Sequence, residues 1–410
     1  MCIKGVNTFQ KNNSELASSA TPSNCSIHII ANAAFGTGIS GGDRIFIECA
    51  RRWGATGFNV CIYSSEDGLE MCKRNKLSDV KYICWSASKF KKFGFFSSYS
   101  YRVFKGCKAA LRLTFNDKKN IVYSASDFWP DFLPALILKL RFRKRVKWVA
   151  GFYLLLPNPF RRDSFYSGSR RLKAIMYFLS QKISYPIVLS HADMIFVTND
   201  LDRQKFVNKR LSPESVVAVK GGIDTKTPLK LPNYQKLFDA IFIGRLCLEK
   251  GVRELVDIWE KVCQEKPAAK LAVLGDGPLK DEVIEKINKK GLSHNIKLFG
   301  FIDGIKKFEY IKQSKIVLHP SIIDSGGMAA CEAMICGLPG VSFDIPALRS
   351  YYPKGMIKTP CYSLDKFANN ILKLLNDSDF YKKVSNDAVH CAMDWDWDKR
   401  CAELLGAIST

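Results

Sequence analysis

The 410-residue sequence is short of acid: 39 Asp/Glu stand against 62 Lys/Arg, a net charge of +23. It is also short of histidine, with five. No stretch of 18 consecutive apolar residues occurs, so no helix is expected to span a membrane. The longest apolar stretch, near Phe132–Leu140, is too short and runs into charge. The 14 cysteines include no C-x-x-C pair and no Cys/His group at zinc spacing, which excludes a zinc finger or ribbon and a thioredoxin-type redox motif. The first 25 residues are polar and Ser/Asn-rich, without the apolar core of a secretory leader, so the thiols are expected to be free in a reducing cytoplasm.

What is present describes a globular α/β protein. Apolar residues make up 47% and charged residues 25%, and the length suits two domains of about 200 residues each. Charge is uneven: residues 1–224 hold 35 Lys/Arg and 16 Asp/Glu, a net +19, whereas 225–410 net only +4. Residues 71–148 alone net +15, so one half of the molecule is expected to face something anionic. Short apolar runs alternate with helix-length segments, as in parallel βαβ units. The runs are Ile27–Ala31, Phe58–Tyr63, Lys81–Trp85, Asn120–Ser124, Val146–Ala150 and Asp193–Thr198. Asp43–Trp53 places Ile45, Phe46, Cys49, Ala50 and Trp53 on one helical face. The series restarts with Asp239–Ile243, Lys270–Leu274, Ile296–Phe299, Lys315–Leu318 and Gly340–Phe343. The expected organisation is a flexible tail 1–26, a Rossmann-like domain 27–224 and a Pro-containing linker 225–237. A second Rossmann-like domain 238–392 follows, then a helix within 393–410 returning to the first domain.

The chemistry-bearing motifs of the second domain fall after strands, where open parallel sheets bind ligands. Gly244-Arg245-Leu246 is followed by Lys250-Gly251 at a helix start, a convergence suited to a diphosphate or, in the plainer reading, a solvated surface pair. Gly275-Asp276-Gly277-Pro278 is a tight turn after the next strand. Phe301, in Phe299-Gly300-Phe301, could flank a base. The densest motif runs from His319 to Met334. In it Asp324 closes a strand and loop, and Gly326 and Gly327 are expected to offer amides to phosphate. Met328 and Ala329 continue into a small-residue helix, where Glu332 is placed to accept bonds from ribose hydroxyls. His319 reads as packing beside Pro320.

In order and spacing, G-R-L-x-x-x-K-G, G-x-G-P and an acid-x7-acid block over 239–344 resemble glycosyltransferase family 4. Gly41-Gly42-Asp43-Arg44, the Gly221–Asp224 segment and Trp397 resemble it as well. The resemblance implies a GT-B fold: α/β, with two Rossmann-like domains whose parallel sheets face a central cleft. It implies a metal-independent, cofactor-free glycosyltransferase that uses a nucleotide-sugar and retains anomeric configuration. It implies that Arg245 and Lys250 hold the donor diphosphate, Asp324 contacts the transferred sugar and Glu332 the ribose, with backbone at Gly327 and Met328 completing the phosphate cradle. Two departures stand out: Asp324 replaces the usual Glu, and Gly151-Phe152-Tyr153 stands where many members have a histidine. A catalytically degenerate nucleotide-sugar binder or membrane-docked partner is the competing reading.

In the first domain, Gly36–Gly42 imitates a dinucleotide fingerprint but lacks the acid after the second strand, so a loop bearing Gly41 and Gly42 is expected at the cleft. Asp127 either contacts the acceptor or caps the next helix. Lys89, Lys91, Lys92, Phe93, Phe95 and Phe96, with Arg141 and Arg143, mix cations and aromatics in a way that suits the inner, anionic face of a membrane carrying a lipid-linked or glycan acceptor. Tyr99, Tyr101, Arg102 and Phe104 extend that stretch. No motif for reading nucleic acid accompanies it.

Overall fold

The computed structural model describes residues 25–34, 39–115, 119–161, 168–324 and 326–410. Most of the expected tail and the Gly36-Thr37-Gly38 part of the first loop lie outside the described residues. The chain divides into two compact units. The first comprises residues up to 198, 202–219 and 398–410, and the second comprises 199–201 and 220–397. Residues 225–237, expected as a linker, fall within the second unit and include the short helix Lys226–Lys230. Of the C-terminal helix, Trp397–Ser409, all but its first residue is in the first unit. There Trp53 Nε1 donates to the Cys401 carbonyl at 3.0 Å and Arg52 pairs with Asp398 at 2.6 Å.

The first unit holds seven strands: β1 (Cys25–Ile30), β2 (Asn59–Ser65), β3 (Lys81–Trp85), β4 (Lys119–Ser124), β5 (Val146–Gly151), β6 (Met194–Val197) and β7 (Val216–Ala218). They pair in parallel in the order β3-β2-β1-β4-β5-β6-β7. Its first helix, Gly41–Ala55, starts with a reciprocal capping box, in which Ser40 accepts from the Asp43 amide and Asp43 from the Ser40 amide. Ile45, Phe46, Cys49, Ala50 and Trp53 are buried, as their helical spacing demands.

The second unit holds β8 (Phe238–Ile243), β9 (Leu271–Leu274), β10 (Ile296–Gly300), β11 (Ser314–His319), β12 (Gly340–Phe343) and β13 (Met356–Thr359). Again all are parallel, in the order β10-β9-β8-β11-β12-β13. One apolar layer packs the helix Val252–Glu265, through Leu255, Ile258 and Trp259, on one face of this sheet. A second layer, with Ala330, Ala333, Tyr351, Tyr352 and Trp395, covers the other. In both units the strand order reverses beside the first strand of the series, between β1 and β4 and between β8 and β11. Loops leaving the carboxyl ends of those strands diverge there and leave room for a ligand.

β7 and β13 were not expected from the sequence. Both are short edge strands, and one carries a Lys, so neither shows the continuous apolar run of a central strand. All thirteen cysteines among the described residues are free; the Cys49 and Cys401 sulfurs, 3.7 Å apart, are well beyond bonding distance.

Candidate donor site in the second unit

Three loops meet at the β8/β11 reversal, and backbone contact fixes them. After β8, the Leu246 amide donates to the Asp276 carbonyl at 2.9 Å and the Leu279 amide to the Leu246 carbonyl at 3.0 Å. A Cβ on Gly275 would sit 1.8 Å from the Gly244 carbonyl oxygen, and one on Gly277 2.5 Å from that of Leu246. These two glycines are therefore required by the approach of one loop to another, and their own amides bond to the Gly300 carbonyl and the Asp276 carboxylate. Gly251, at φ +63, comes so close to the Pro320 carbonyl that a Cβ would overlap it at 1.9 Å. The Ile322 and Ile323 amides both donate to the Glu249 carbonyl. The loop carrying Lys250 and the loop carrying Asp324 are thereby joined.

Their side chains continue the join. Lys250 Nζ lies 2.5 Å from Asp324 Oδ2, and His319 Nε2 lies 2.8 Å from the same oxygen and 3.1 Å from Ser321 Oγ. Asp324 Oδ1 accepts from the amides of Gly326 at 3.1 Å and Gly327 at 2.9 Å. Burial alone would raise the Asp324 pKa, but the Lys250 ammonium and the His319 ring outweigh it and hold the carboxyl well below its usual range. Asp324 is thus a buried anion, and the Gly326 and Gly327 amides expected to face phosphate are occupied by it. His319, read from sequence as packing, is buried and is also a direct partner of Asp324; its signal was its place on the last residue of β11, five before the acid. Gly327, at φ +60, opens the helix Met328–Met334, and Tyr352 Oη donates to the carbonyls of Gly326 and Gly327, each 2.8 Å away. Met328 lays its thioether against Gly221, whose φ of +74 favours glycine. The amides of Met328 and Ala329 stand in the first helical turn, where amides find no acceptor inside the helix.

Arg245, directly after Gly244, is exposed, and among the described residues no carboxylate lies within ion-pair distance of it. Glu332 is half-buried one helical turn further in. Its Oε1 is 2.9 Å from Lys307 Nζ, which also bonds Asp303 Oδ1 at 2.9 Å. Burial would lower the Lys307 pKa, but the two carboxylates overcome it and raise the value, so the buried ammonium stays charged. Lys307 was missed from sequence, although Asp303 and Lys307 stand at i, i+4 across the start of the helix Ile305–Lys312. Phe301 is 74% exposed just beyond Gly300.

In the first unit Asp127 neither caps a helix nor stands open. The helix Trp129–Phe142 is entered from Phe128 without a side-chain cap, and Asp127 accepts from Tyr177 Oη at 3.1 Å and Gln181 Nε2 at 2.9 Å. Burial raises its pKa to about 6 against those two bonds. Gly41 and Gly42 begin the helix Gly41–Ala55, and Gly42 packs under the Tyr153 ring. Phe152 is buried, and the hydroxyls of Tyr153 and Tyr123 bond each other in the segment that lacks the histidine of the resembling family. In the basic stretch, Lys89, Lys92, Phe93, Phe95, Phe96 and Arg143 are exposed. Lys91 and Arg141 are exposed as well, Lys91 pairing with Asp67 and Arg141 donating to the Ala110 and Leu113 carbonyls at the end of the helix Phe95–Arg112; Arg102, by contrast, is buried and bonds Asp67.

Residues 224–390 match the family model described as Glycosyl transferases group 1. The chain is 27% identical over 247 residues to the amylovoran biosynthesis glycosyltransferase AmsD of Erwinia amylovora, covering 58% of this chain and 61% of that one. It is 24% identical over 230 residues to the phosphatidylinositol N-acetylglucosaminyltransferase GPI3 subunit of Saccharomyces cerevisiae, 53% of this chain and 51% of the relative. It spans about half the length of the curated relatives it matches. Among solved structures, Anabaena Alr3699/HepE in complex with UDP and glucose superposes with a TM-score of 0.67 at 14% identity, over 93% of this chain and 99% of that one. The fold is that of the GT-B glycosyltransferases, two Rossmann-like α/β units, and the family match falls within the second unit.

Proposed function

We propose that the chain is a retaining, metal-independent glycosyltransferase of hexosyl type. It moves a sugar from a nucleotide-diphosphate-sugar to a lipid-linked or cell-surface glycan acceptor. It works at the inner face of a membrane and needs no cofactor. One observation carries the reading: at the strand-order reversal of the second unit, the β8 loop, which also carries Arg245, delivers Lys250 to Asp324 from the β11 loop. The relatives that make amylovoran and phosphatidylinositol glycans give the acceptor class its direction.

In this reading Arg245 and Lys250 neutralise the diphosphate as the glycosidic bond breaks, which is the largest need of a transfer whose leaving group gains a further negative charge as it departs. Lys250 then exchanges Asp324 for phosphate oxygen. Asp324, still held by His319 and the Gly326 and Gly327 amides, is left to order a hydroxyl of the transferred sugar. Glu332, with one oxygen fixed by Lys307, offers the other to the ribose. Gly244, Met328 and Ala329 supply backbone to the phosphates, Gly275 and Gly277 hold the loops in register, and Phe301 lies against the base. The basic first unit takes the acceptor, with Gly41, Gly42 and Asp127 nearest the loops that follow its own strands.

The test is a thermal-shift screen against UDP-, GDP- and ADP-sugars, because a ligand that binds only the native state raises apparent stability. One nucleotide class should raise the midpoint by several degrees, and hydrolysis of that donor should follow. No shift with any of them overturns the reading. Tight donor binding without hydrolysis or transfer marks instead a degenerate binder, which the Tyr153–Tyr123 pair in place of a histidine would suit.

A further inference from the structure

The helix Gly168–His191 contains no Asp or Glu in its 24 residues. One side is buried through Ala174, Gln181, Ser184 and Val188. On the other, Leu172, Met176, Leu179 and Ile183 recur at i, i+4, i+7 and i+11 and are 62%, 38%, 51% and 49% exposed. At 3.6 residues per turn these four fall within an arc of about 60°. Exposed Lys173 lies on one side of that arc and exposed Arg171 and Lys182 on the other. Nothing among the described residues covers the stripe. Upstream, the exposed Phe160 packs edge-on against Phe178, and Arg171 Nε donates to the Pro159 carbonyl at 3.2 Å, so the preceding segment is tied to the helix. The helix is also tied to the basic stretch. Phe128 stacks on Tyr177 at 4.8 Å, the Trp129 amide donates to Tyr99 Oη, and Tyr99 lies beside Phe95. Residues 80–116, which carry the exposed Phe93, Phe95 and Phe96, again hold no acid.

We infer that this helix face lies in the surface of an anionic bilayer, its four apolar side chains among the acyl chains and Arg171, Lys173 and Lys182 at the lipid phosphates. An apolar arc edged by cations on both sides, without a carboxylate, is the composition that gains from both layers of such a surface. A second copy of the chain would bring two strongly basic faces together. Nucleic acid would reward the cations but offer nothing to four exposed aliphatic side chains. The inference rests on the membrane-facing part of the proposed function and adds to it the element that enters the lipid. The basic stretch around Lys89 gives attraction that salt screens, whereas this helix gives the part that salt leaves.

The experiment compares wild type with the fourfold variant L172S/M176S/L179S/I183S and with the threefold variant K89E/K91E/K92E. Each is sedimented with vesicles of phosphatidylcholine alone or mixed with phosphatidylglycerol. Wild type should pellet with the mixed vesicles and keep a bound fraction at about 0.5 M salt. The fourfold variant should lose that high-salt fraction by about tenfold or more while still binding weakly at low salt. The threefold variant should lose low-salt binding first. Since the fourfold substitutions are at exposed positions, the nucleotide-sugar thermal shift should be unchanged, so a failure of the transfer reading shows there and not in the pellet. Equal high-salt pelleting of wild type and fourfold variant overturns the inference, as does absence of wild-type binding. A fourfold variant that changes oligomeric state in size-exclusion chromatography but not vesicle binding would make the stripe a protein interface and likewise overturn it.

Discussion

Two buried carboxylates, one in each unit, sit at the same topological point and titrate in opposite directions. In the second unit Asp324 joins the loops after β8 and β11, and Lys250 and His319 hold it well below the ordinary carboxylate range despite burial. In the first unit Asp131 joins the loops after β1 and β4. Its Oδ1 accepts from the Asn32 and Ala33 amides at 2.6 and 2.9 Å, and its Oδ2 from Ser126 Oγ at 2.5 Å. Among the described residues no cation bonds it, and burial wins over these hydrogen bonds and raises its pKa to about 7. The strand order is shared and so is the device of tying two loops with an acid. The charges supplied around the acid separate a site poised for an anionic ligand from a structural knot whose acid has no cationic partner.

That contrast breaks first at the cations. R245A and K250A are each expected to lower turnover by roughly 10²–10³, the scale of losing one preorganised charge donor, with donor affinity falling less. Steady-state kinetics beside equilibrium donor binding decide it: equal loss in both, or none, removes the leaving-group role. EDTA should leave wild-type turnover intact, and its abolition would replace this account with a metal-assisted one.

A smaller effect sharpens the roles of the acids. Glu332→Gln should weaken nucleotide binding by about 1–3 kcal/mol, and Lys307→Met should follow it, because Lys307 fixes one Glu332 oxygen. Both should affect 2′-deoxynucleotide binding less than ribonucleotide binding. Asp324→Asn should instead alter the ranking of sugars on one nucleotide. Calorimetric titration that finds all three variants shifting nucleotide affinity alike, with sugar preference untouched, would show the two acids misassigned.

The fold was legible because buried parallel strands are continuous apolar runs and the turns between them carry glycine. Eleven of the thirteen strands follow from that pattern, and the two exceptions are short edges. Part of the candidate site was legible as residue types: Lys250, Asp324, Gly326 and Gly327 are joined by direct bonds after β8 and β11. Who bonds whom was not legible. Gly326 and Gly327 face Asp324, Gly275 and Gly277 serve loop contact, and His319 and Lys307 enter as partners of the two acids. Such pairings depend on crossovers between distant strands, which residue spacing along one strand does not encode. The burial of Arg102 had the same cause: its partner Asp67 is 35 residues away, on a different helix.

The smallest expected effect tests the structural side of the contrast. The pKa of Asp131 rises from an ordinary 3.8 to about 7 on folding, so its contribution to stability is fully present below about pH 4 and is lost as pH climbs to about 7, after which it changes no further. Asp324 runs the other way, stabilising above the ordinary carboxylate value and losing that on acidification. Asp127, raised to about 6, shares part of the Asp131 window, so wild-type unfolding alone does not isolate one group. The comparison with Asp131→Asn does. An amide oxygen can still accept from Asn32 and Ala33, and its NH2 can donate to Ser126, while the charge that burial penalises is gone. Wild type and variant should unfold at similar temperatures near pH 4–5 and diverge towards pH 8. There the variant gains about 1–2 kcal/mol, once the weaker bonds of an amide are set against the removed charge. Asp131→Ala, which leaves the two amides without an acceptor, should be less stable than wild type throughout. Scanning calorimetry across that range reads all three. Parallel profiles for wild type and the Asn variant would mean that Asp131 is ionised as readily as Asp324, and the distinction between the two knots would fall.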